Sequence, residues 1–471
     1  MMDDLNSRGA VELAAMIATR EVRAVRAADV IDAYLARIEA VNPAVNAITT
    51  TLADSARSAA AEVDRALSAG EKLGPLAGVP FTVKENIDVA CSSTTWGVAA
   101  MAGQIASTDA PLVARLREAG AIPFARTNMP DFAFRWDTES SVAGRTYNPW
   151  DPTLTPGGSS GGDAVALATG MTPLGIGNDL GGSLRVPSQM CGTAAIRPSR
   201  GRVADAQVTA PPQSLAIQNT NTHGPMARRV ADLRAALRIM SAPDARDPRW
   251  VPAPLTGPTL ASPIRIAVVR NPLGAGIDSH VAAGVSRAAD WLSNAGYEVV
   301  DAEPPMIDET RQAWVDAIWS DMQVLWPQIK VVSGTGMVSF VEAVIASGLF
   351  KPMDQAEGLE TWIAIHKLGG AWSEFLAAHP IILSPISCER PWTINDDIKR
   401  VTEISHSMRM VGPVNILGLP SAAVPVGADE GLPQGVQLIG RKFREDLLLD
   451  AAQAIEDRAP VLTPIDPKGR E

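Results

Sequence analysis

Apolar positions recur at helical spacing through the first forty residues. Val11, Leu13 and Ile17, then Val30, Ile31, Tyr34, Leu35 and Ile38, alternate with charged residues. Side chains three and four apart share a helix face, so residues 9–40 are predicted to form a helical wrap with one buried stripe. The pattern changes at 79–89, VPFTVKENIDV. Proline is poorly tolerated inside a helix, and Pro80 here precedes a short β-rich run, Phe81 to Val83. The run reads as a strand that enters a loop near Lys84. Residues 110–119 return to helical spacing, and AIPFARTN reads as the next strand. Alternating strand and helix predicts an α/β core.

Residues 155–201 are glycine-rich, but apolar segments interrupt the glycines, so this is no linker. Asp163 to Thr169 is predicted to be a helix opening from the first Gly/Ser cluster. Six prolines between 241 and 263 read as an extended surface connection, after which IRIAVVR (264–270) starts a new strand. Residues 305–400 look mostly helical and carry Trp314, Trp319, Trp326, Trp362, Trp372 and Trp392. Helix packing is the first reading of these tryptophans, and an aromatic-lined pocket is the alternative. No internal repeat is visible.

Composition narrows the function classes. Over 471 residues, 46% are hydrophobic and 20% charged, which supports a large buried core. The net charge of −11, with no local run of Lys and Arg, repels nucleic acid and anionic membranes. Three widely spaced cysteines and five scattered histidines give neither a disulfide framework nor a metal motif. No metal and no cofactor are expected. The N-terminus lacks an apolar signal core, and no stretch is long enough to span a bilayer. A cytoplasmic protein is the expectation.

Two clusters carry the candidate chemistry. Gly157-Gly158-Ser159-Ser160-Gly161-Gly162 opens a helix, so free N–H groups face the turn. That loop could cradle phosphate, offer hydroxyl chemistry, or be merely flexible. Gly181-Gly182-Ser183 adds a serine behind small residues whose N–H groups could face a developing oxyanion. A serine hydroxyl needs a base. No histidine lies near it in sequence, and a lysine held neutral by burial could serve. Lys84 is the candidate, although most lysines are solvated surface residues.

Taken together, these segments resemble the amidase signature family. Its GGSSGG loop matches Gly157 to Gly162. Its (D)xGGSxR segment matches Asp179, Gly181, Gly182, Ser183 and Arg185. Its strand-end lysine matches Lys84 in VPFTVKENID. The intervals between the three elements also agree. TNMPDF (127–132), NPWDP (148–152), HGPMAR (223–228), GLPSAAVPVG (418–427) and LPQGVQLIGRKFREDLLL (432–449) are further matches in order. The resemblance covers most of 65–230 and 405–455 and leaves 235–400 largely outside.

The resemblance implies roles. Ser183 would attack the carbonyl. Ser159, after a cis Gly158–Ser159 peptide, would relay its proton, and neutral Lys84 would accept it. Backbone N–H groups of Leu180, Gly181, Gly182 and Ser183 would form the oxyanion hole. Ser160 would support the network, and Asp179 with Arg185 would hold the loop as a structural pair. One departure concerns the loop 132–141, FAFRWDTESS. Many relatives carry small residues where Phe134, Arg135 and Trp136 stand, and the loop borders the acyl pocket in relatives. Ala133 to Trp136 are therefore candidate substrate contacts. Trp136 as plain core and Arg135 as a surface residue is the other reading. Cys191 reads as a packed small residue.

The implied fold is a single large α/β/α domain over 1–471, with a mixed, twisted sheet covered by helices on both faces. Residues 305–400 would cap the substrate entrance. The leading function is hydrolysis of a carboxylic amide, and by the same route an aryl ester or carbamate. The glutaminase subunit of a tRNA-dependent amidotransferase, a non-catalytic scaffold and a membrane-docked fatty acid amide hydrolase are the competing readings. The expected partner is a small-molecule substrate, with a homodimer plausible by family habit only.

Overall fold

The computed structural model describes residues 2–19, 25–211 and 213–469. Its strands, in chain order, are β1 (Ile48–Thr51), β2 (Pro80–Lys84), β3 (Ile122–Thr127), β4 (Glu139–Ser140), β5 (Gly144–Arg145), β6 (Leu174–Asp179) and β7 (Ala194–Arg197). There follow β8 (Thr222–Ala227), β9 (Arg265–Val268), β10 (Glu298–Asp301), β11 (Ile381–Ser384), β12 (Ser421–Asp429) and β13 (Leu432–Gly440). β4 and β5 pair only with each other. The other eleven form one sheet in the order β1-β3-β2-β6-β8-β7-β12-β13-β11-β9-β10.

The sheet is mixed. β2 runs parallel to both β3 and β6, whereas β8 is antiparallel to β6 and β7. All residues of β2, β3, β6 and β8 are buried. Strands covered on both faces lack in/out alternation, which is why VPFTV and LGIG read as continuous apolar or small runs. Helices lie on both faces. Val230–Met240, Ser279–Asn294 and Glu445–Glu456 pack on the sheet, as do Gly161–Ala168 and Arg185–Cys191.

Several expectations shift by a few residues. The N-terminal wrap is two helices, Ala10–Ala18 and Ala27–Val45, and residues 20–24 of the expected span lie outside the described residues. The helix expected at Asp163 begins at Gly161, directly after Ser160. The proline segment has no regular structure, and the chain beyond it rejoins the same sheet, with β12 beside β7. Residues 305–400 are not wholly helical. Ile381–Ser384 forms β11 between β13 and β9. A four-residue buried strand has no alternation to separate it from a buried helix turn.

The rest of that region is built from helices Ile307–Ile329, Thr335–Ser347 and Gln355–Ala378. They enclose a second apolar cluster that includes Trp314, Trp319, Phe340 and Trp372. No helix among the described residues is long and apolar enough to cross a membrane.

Candidate active site

Lys84 ends β2 with no solvent exposure. Its Nζ lies 2.7 Å from Ser159 Oγ, 2.9 Å from Ser160 Oγ and 2.9 Å from Asn178 Oδ1. None of these partners is charged. An ammonium would donate to all three, whereas a neutral amine can donate to Asn178 and Ser160 and turn its lone pair to the Ser159 hydroxyl. Burial drives Lys84 down to about 7, against the opposing pull of Asp163 and Asp179. Asp163, fully buried in the first turn of Gly161–Ala168, is itself pushed up by burial. A low-dielectric interior disfavours separated charges, so both groups move toward their neutral forms.

A glycine in β6 makes room for this packing. The Gly158–Ser159 peptide is cis. Gly177 of β6 lies under the serines, where a Cβ would stand 2.6 Å from Ser160 Oγ. Any other residue would push Ser160 off the lysine.

Ser183 follows β6 in a loop anchored by Asp179. The Asp179 carboxylate accepts from the N–H of Gly182 (2.8 Å) and Leu184 (3.3 Å). Arg185 binds it with Nε at 2.9 Å and Nη2 at 3.1 Å, and both side chains are fully buried. Burial alone would raise Asp179, but Arg185 and Arg197 outweigh it and hold the carboxyl below the usual carboxylate range. Asp179→Ala would leave Arg185 buried without its counter-charge. It is expected to destabilise the protein by about 3–5 kcal/mol, read from urea unfolding, and a loss under about 1 kcal/mol would contradict the anchoring role.

One expected oxyanion donor is corrected by the geometry. Gly182 has φ +93° and spends its N–H on Asp179. Among the described residues, the N–H groups of Leu180, Gly181 and Ser183 donate to nothing. Three N–H groups of this loop therefore remain free.

Two cavities meet at Ser183 and share Ala133, Phe134 and Leu180. The smaller, about 50 Å³, is walled by Trp136, Trp314, Trp319 and Phe340. The larger, about 260 Å³, also reaches Ser159 and is lined by Met322, Leu325 and Met337 opposite Gln207, Gln213 and Gln328. Phe134 packs edge-on against Trp319, with ring centroids 5.4 Å apart. The arrangement can present a buried serine to an apolar acyl group beside a neutral, hydroxyl-linked amine.

The model of the family described as Amidase matches residues 29–449. The chain belongs to the amidase family. This amidase is 42% identical to an indoleacetamide hydrolase of Bradyrhizobium diazoefficiens, over 96% of the chain and 87% of that protein. It is 32% identical to the A-type subunit of a glutamyl-tRNA(Gln) amidotransferase of Acidothermus cellulolyticus, over 97% of the chain and 95% of that protein. The solved structure of a 6-aminohexanoate cyclic dimer hydrolase with its substrate superposes at a TM-score of 0.84. Identity there is 25%, covering 98% of this chain and 99% of the other. The sequence-based assignment to the family, the amidohydrolase class and the α/β fold are shown by these matches.

Lys84, Ser159 and Ser160 touch, and Ser160 N–H donates to Ser183 O at 3.2 Å. Trp136 lines the small cavity, while Arg135, for which a surface position was one reading, is buried. Its guanidinium binds Asp397 at 2.8 and 3.0 Å, a partner 262 residues away that no local pattern announces. Of the six tryptophans, Trp314 and Trp319 face the cavity and the other four pack elsewhere. Cys191 is fully buried, which raises its thiol above the ordinary range. Sequence reasoning does not find Asn178, Asn86 or Asp163. Asn178 stands next to Asp179 and binds Lys84, while Asn86, two residues after Lys84, accepts from Asn178 Nδ2 at 3.0 Å. β6 is buried on both faces, so no in/out alternation along it singles out Asn178. Among the described residues no group of His, Cys, Asp and Glu could hold a metal ion.

Proposed function

We propose that this amidase hydrolyses amides whose acyl part is flat and apolar, through an acyl-enzyme on Ser183. The observation that carries this reading is the buried Lys84 amine bonded only to uncharged groups, one of them Ser159. Ser183 Oγ attacks the carbonyl carbon and gives its proton to Ser159, whose own proton passes to Lys84. The carbonyl oxygen gains charge and is held by N–H groups of Leu180, Gly181 and Ser183. The Lys84 ammonium then returns the proton through Ser159 to the leaving nitrogen, and the amine departs. Water attacks the ester by the same relay in reverse and frees the carboxylate. Esters and carbamates can enter at the same first step.

The aromatic wall of the smaller cavity and the 42% identity to an indoleacetamide hydrolase support an arylacetamide as substrate. The helical segment 305–400 supplies Trp314, Trp319 and Phe340 to that wall, and in this reading it caps the entrance. The similarity to an amidotransferase component favours a second reading, glutamine hydrolysis within a complex. A panel of indole-3-acetamide, phenylacetamide, short aliphatic amides, an aryl carbamate and glutamine separates the two. Arylacetamides are expected to exceed glutamine by at least about 100-fold in kcat/KM, because apolar walls leave a polar side chain unpaired. A preference for glutamine would overturn the arylacetamide reading.

A further inference from the structure

We propose that Trp314 is a positioning residue that aims the free Gly181 N–H of the oxyanion loop, with Trp136 clamping the next peptide beside Asp179, so that the wall receiving the acyl group also sets a donor for its oxygen. This rests on the reading of Ser183 as nucleophile. Trp314 Nε1 donates to the carbonyl of Leu180 at 3.1 Å, and Trp136 Nε1 donates to the carbonyl of Gly181 at 2.9 Å. The two rings lie beside each other, with centroids 6.3 Å apart and planes 32° from parallel.

A peptide group is planar and trans, so the carbonyl of one residue and the N–H of the next point in opposite directions. Fixing two consecutive carbonyls therefore fixes the following two N–H groups. The rule can be checked at Gly182, whose N–H meets Asp179 Oδ1 at 2.8 Å while the Gly181 carbonyl meets Trp136. At Gly181 the same rule turns the N–H away from Trp314, and that N–H donates to nothing among the described residues.

The loop needs such a restraint. Gly181 and Gly182 have no Cβ to bias their dihedrals, and without the indole bonds the Leu180–Gly181 peptide could rotate and present a carbonyl where a donor is required. Gly181 is also what admits the ring, since a Cβ there would lie 2.5 Å from Trp314 Cζ2. Both indoles come from segments with little of the family pattern: Trp136 from 132–141, Trp314 from helix Ile307–Ile329. Trp136 is held in turn by its neighbour Arg135, locked to Asp397.

The test uses Trp314→Phe and Trp136→Phe in the full chain, with two probes, indole-3-acetamide and p-nitrophenyl acetate. Phenylalanine keeps an aromatic wall and removes the N–H. The acetyl group of the ester is too small to need that wall but still develops an oxyanion. For an aiming role, Trp314→Phe loses about 10- to 100-fold in the acylation rate with both probes, while KM for indole-3-acetamide changes less than about threefold; Trp136→Phe, whose peptide Asp179 also holds, loses less. A loss confined to indole-3-acetamide, or carried by KM alone, would make the indoles a plain pocket wall and overturn the inference. If Trp314→Phe fails to fold by circular dichroism, Trp314→Leu, which also lacks the indole N–H, decides with p-nitrophenyl acetate. Ser183→Ala run alongside keeps the two readings apart, because turnover retained there sinks the nucleophile assignment and not the tryptophan result.

Discussion

Ser183→Ala is expected to lower kcat by about a millionfold while leaving unfolding behaviour almost unchanged. The size follows from the chemistry. In the proposed mechanism the hydroxyl oxygen forms the acyl-enzyme, and without it the relay through Ser159 has nothing to deprotonate. Some acceleration over water should survive, about 10³- to 10⁴-fold, because the loop donors and the cavity remain. Stability should hold because the backbone carbonyl of Ser183 accepts from Ser160 N–H, and alanine keeps that bond. Turnover of the best panel substrate, measured with urea unfolding, checks both halves. Activity within about tenfold of wild type would remove Ser183 from its role.

Lys84→Met should be nearly as damaging, with at least about a 10⁴-fold loss in kcat, because groups that act as one unit fail together. Methionine fills similar space but offers no basic nitrogen. It also leaves Asn178 Oδ1 without its lysine donor, so a stability loss of about 1–3 kcal/mol should accompany it. The wild-type pH profile tests the same residue without mutation. Lys84 accepts a proton only when neutral, and burial brings it to about 7. The rate should therefore be level on the alkaline side and fall about tenfold per pH unit once the pH drops below that point. A solvated lysine would put this limb near pH 10. A profile that stays flat well into the acid range would contradict the lysine-base account.

Much of the site can be read from the chain because it is built from short segments with fixed local requirements. A helix opening inside Gly157–Gly162, a strand ending at Lys84 and an aspartate four residues before Ser183 are each written in consecutive residues. The long buried strands are readable for the same reason, since burial on both faces demands an unbroken apolar or small run. β11 is not, because four buried residues inside a helical region satisfy either geometry. Arg135 can be taken for a surface group because its charge is neutralised by Asp397, a residue that only folding brings near.

Family and fold class are legible in the linear chain, and so are the lysine and two serines proposed to act together. So is the rule that glycines stand wherever the backbone must approach them. Which N–H groups of the loop stay free is visible only in the folded molecule. Folding commits Gly182 to Asp179, gives Lys84 a third partner in Asn178, and brings Trp136 and Trp314 from segments far apart onto two adjacent carbonyls. The difference is one of range. Backbone conformation and burial leave marks on neighbouring residues, whereas hydrogen bonds and charge pairs form between whichever groups the packed chain brings within about 3 Å, and sequence separation carries no record of that distance.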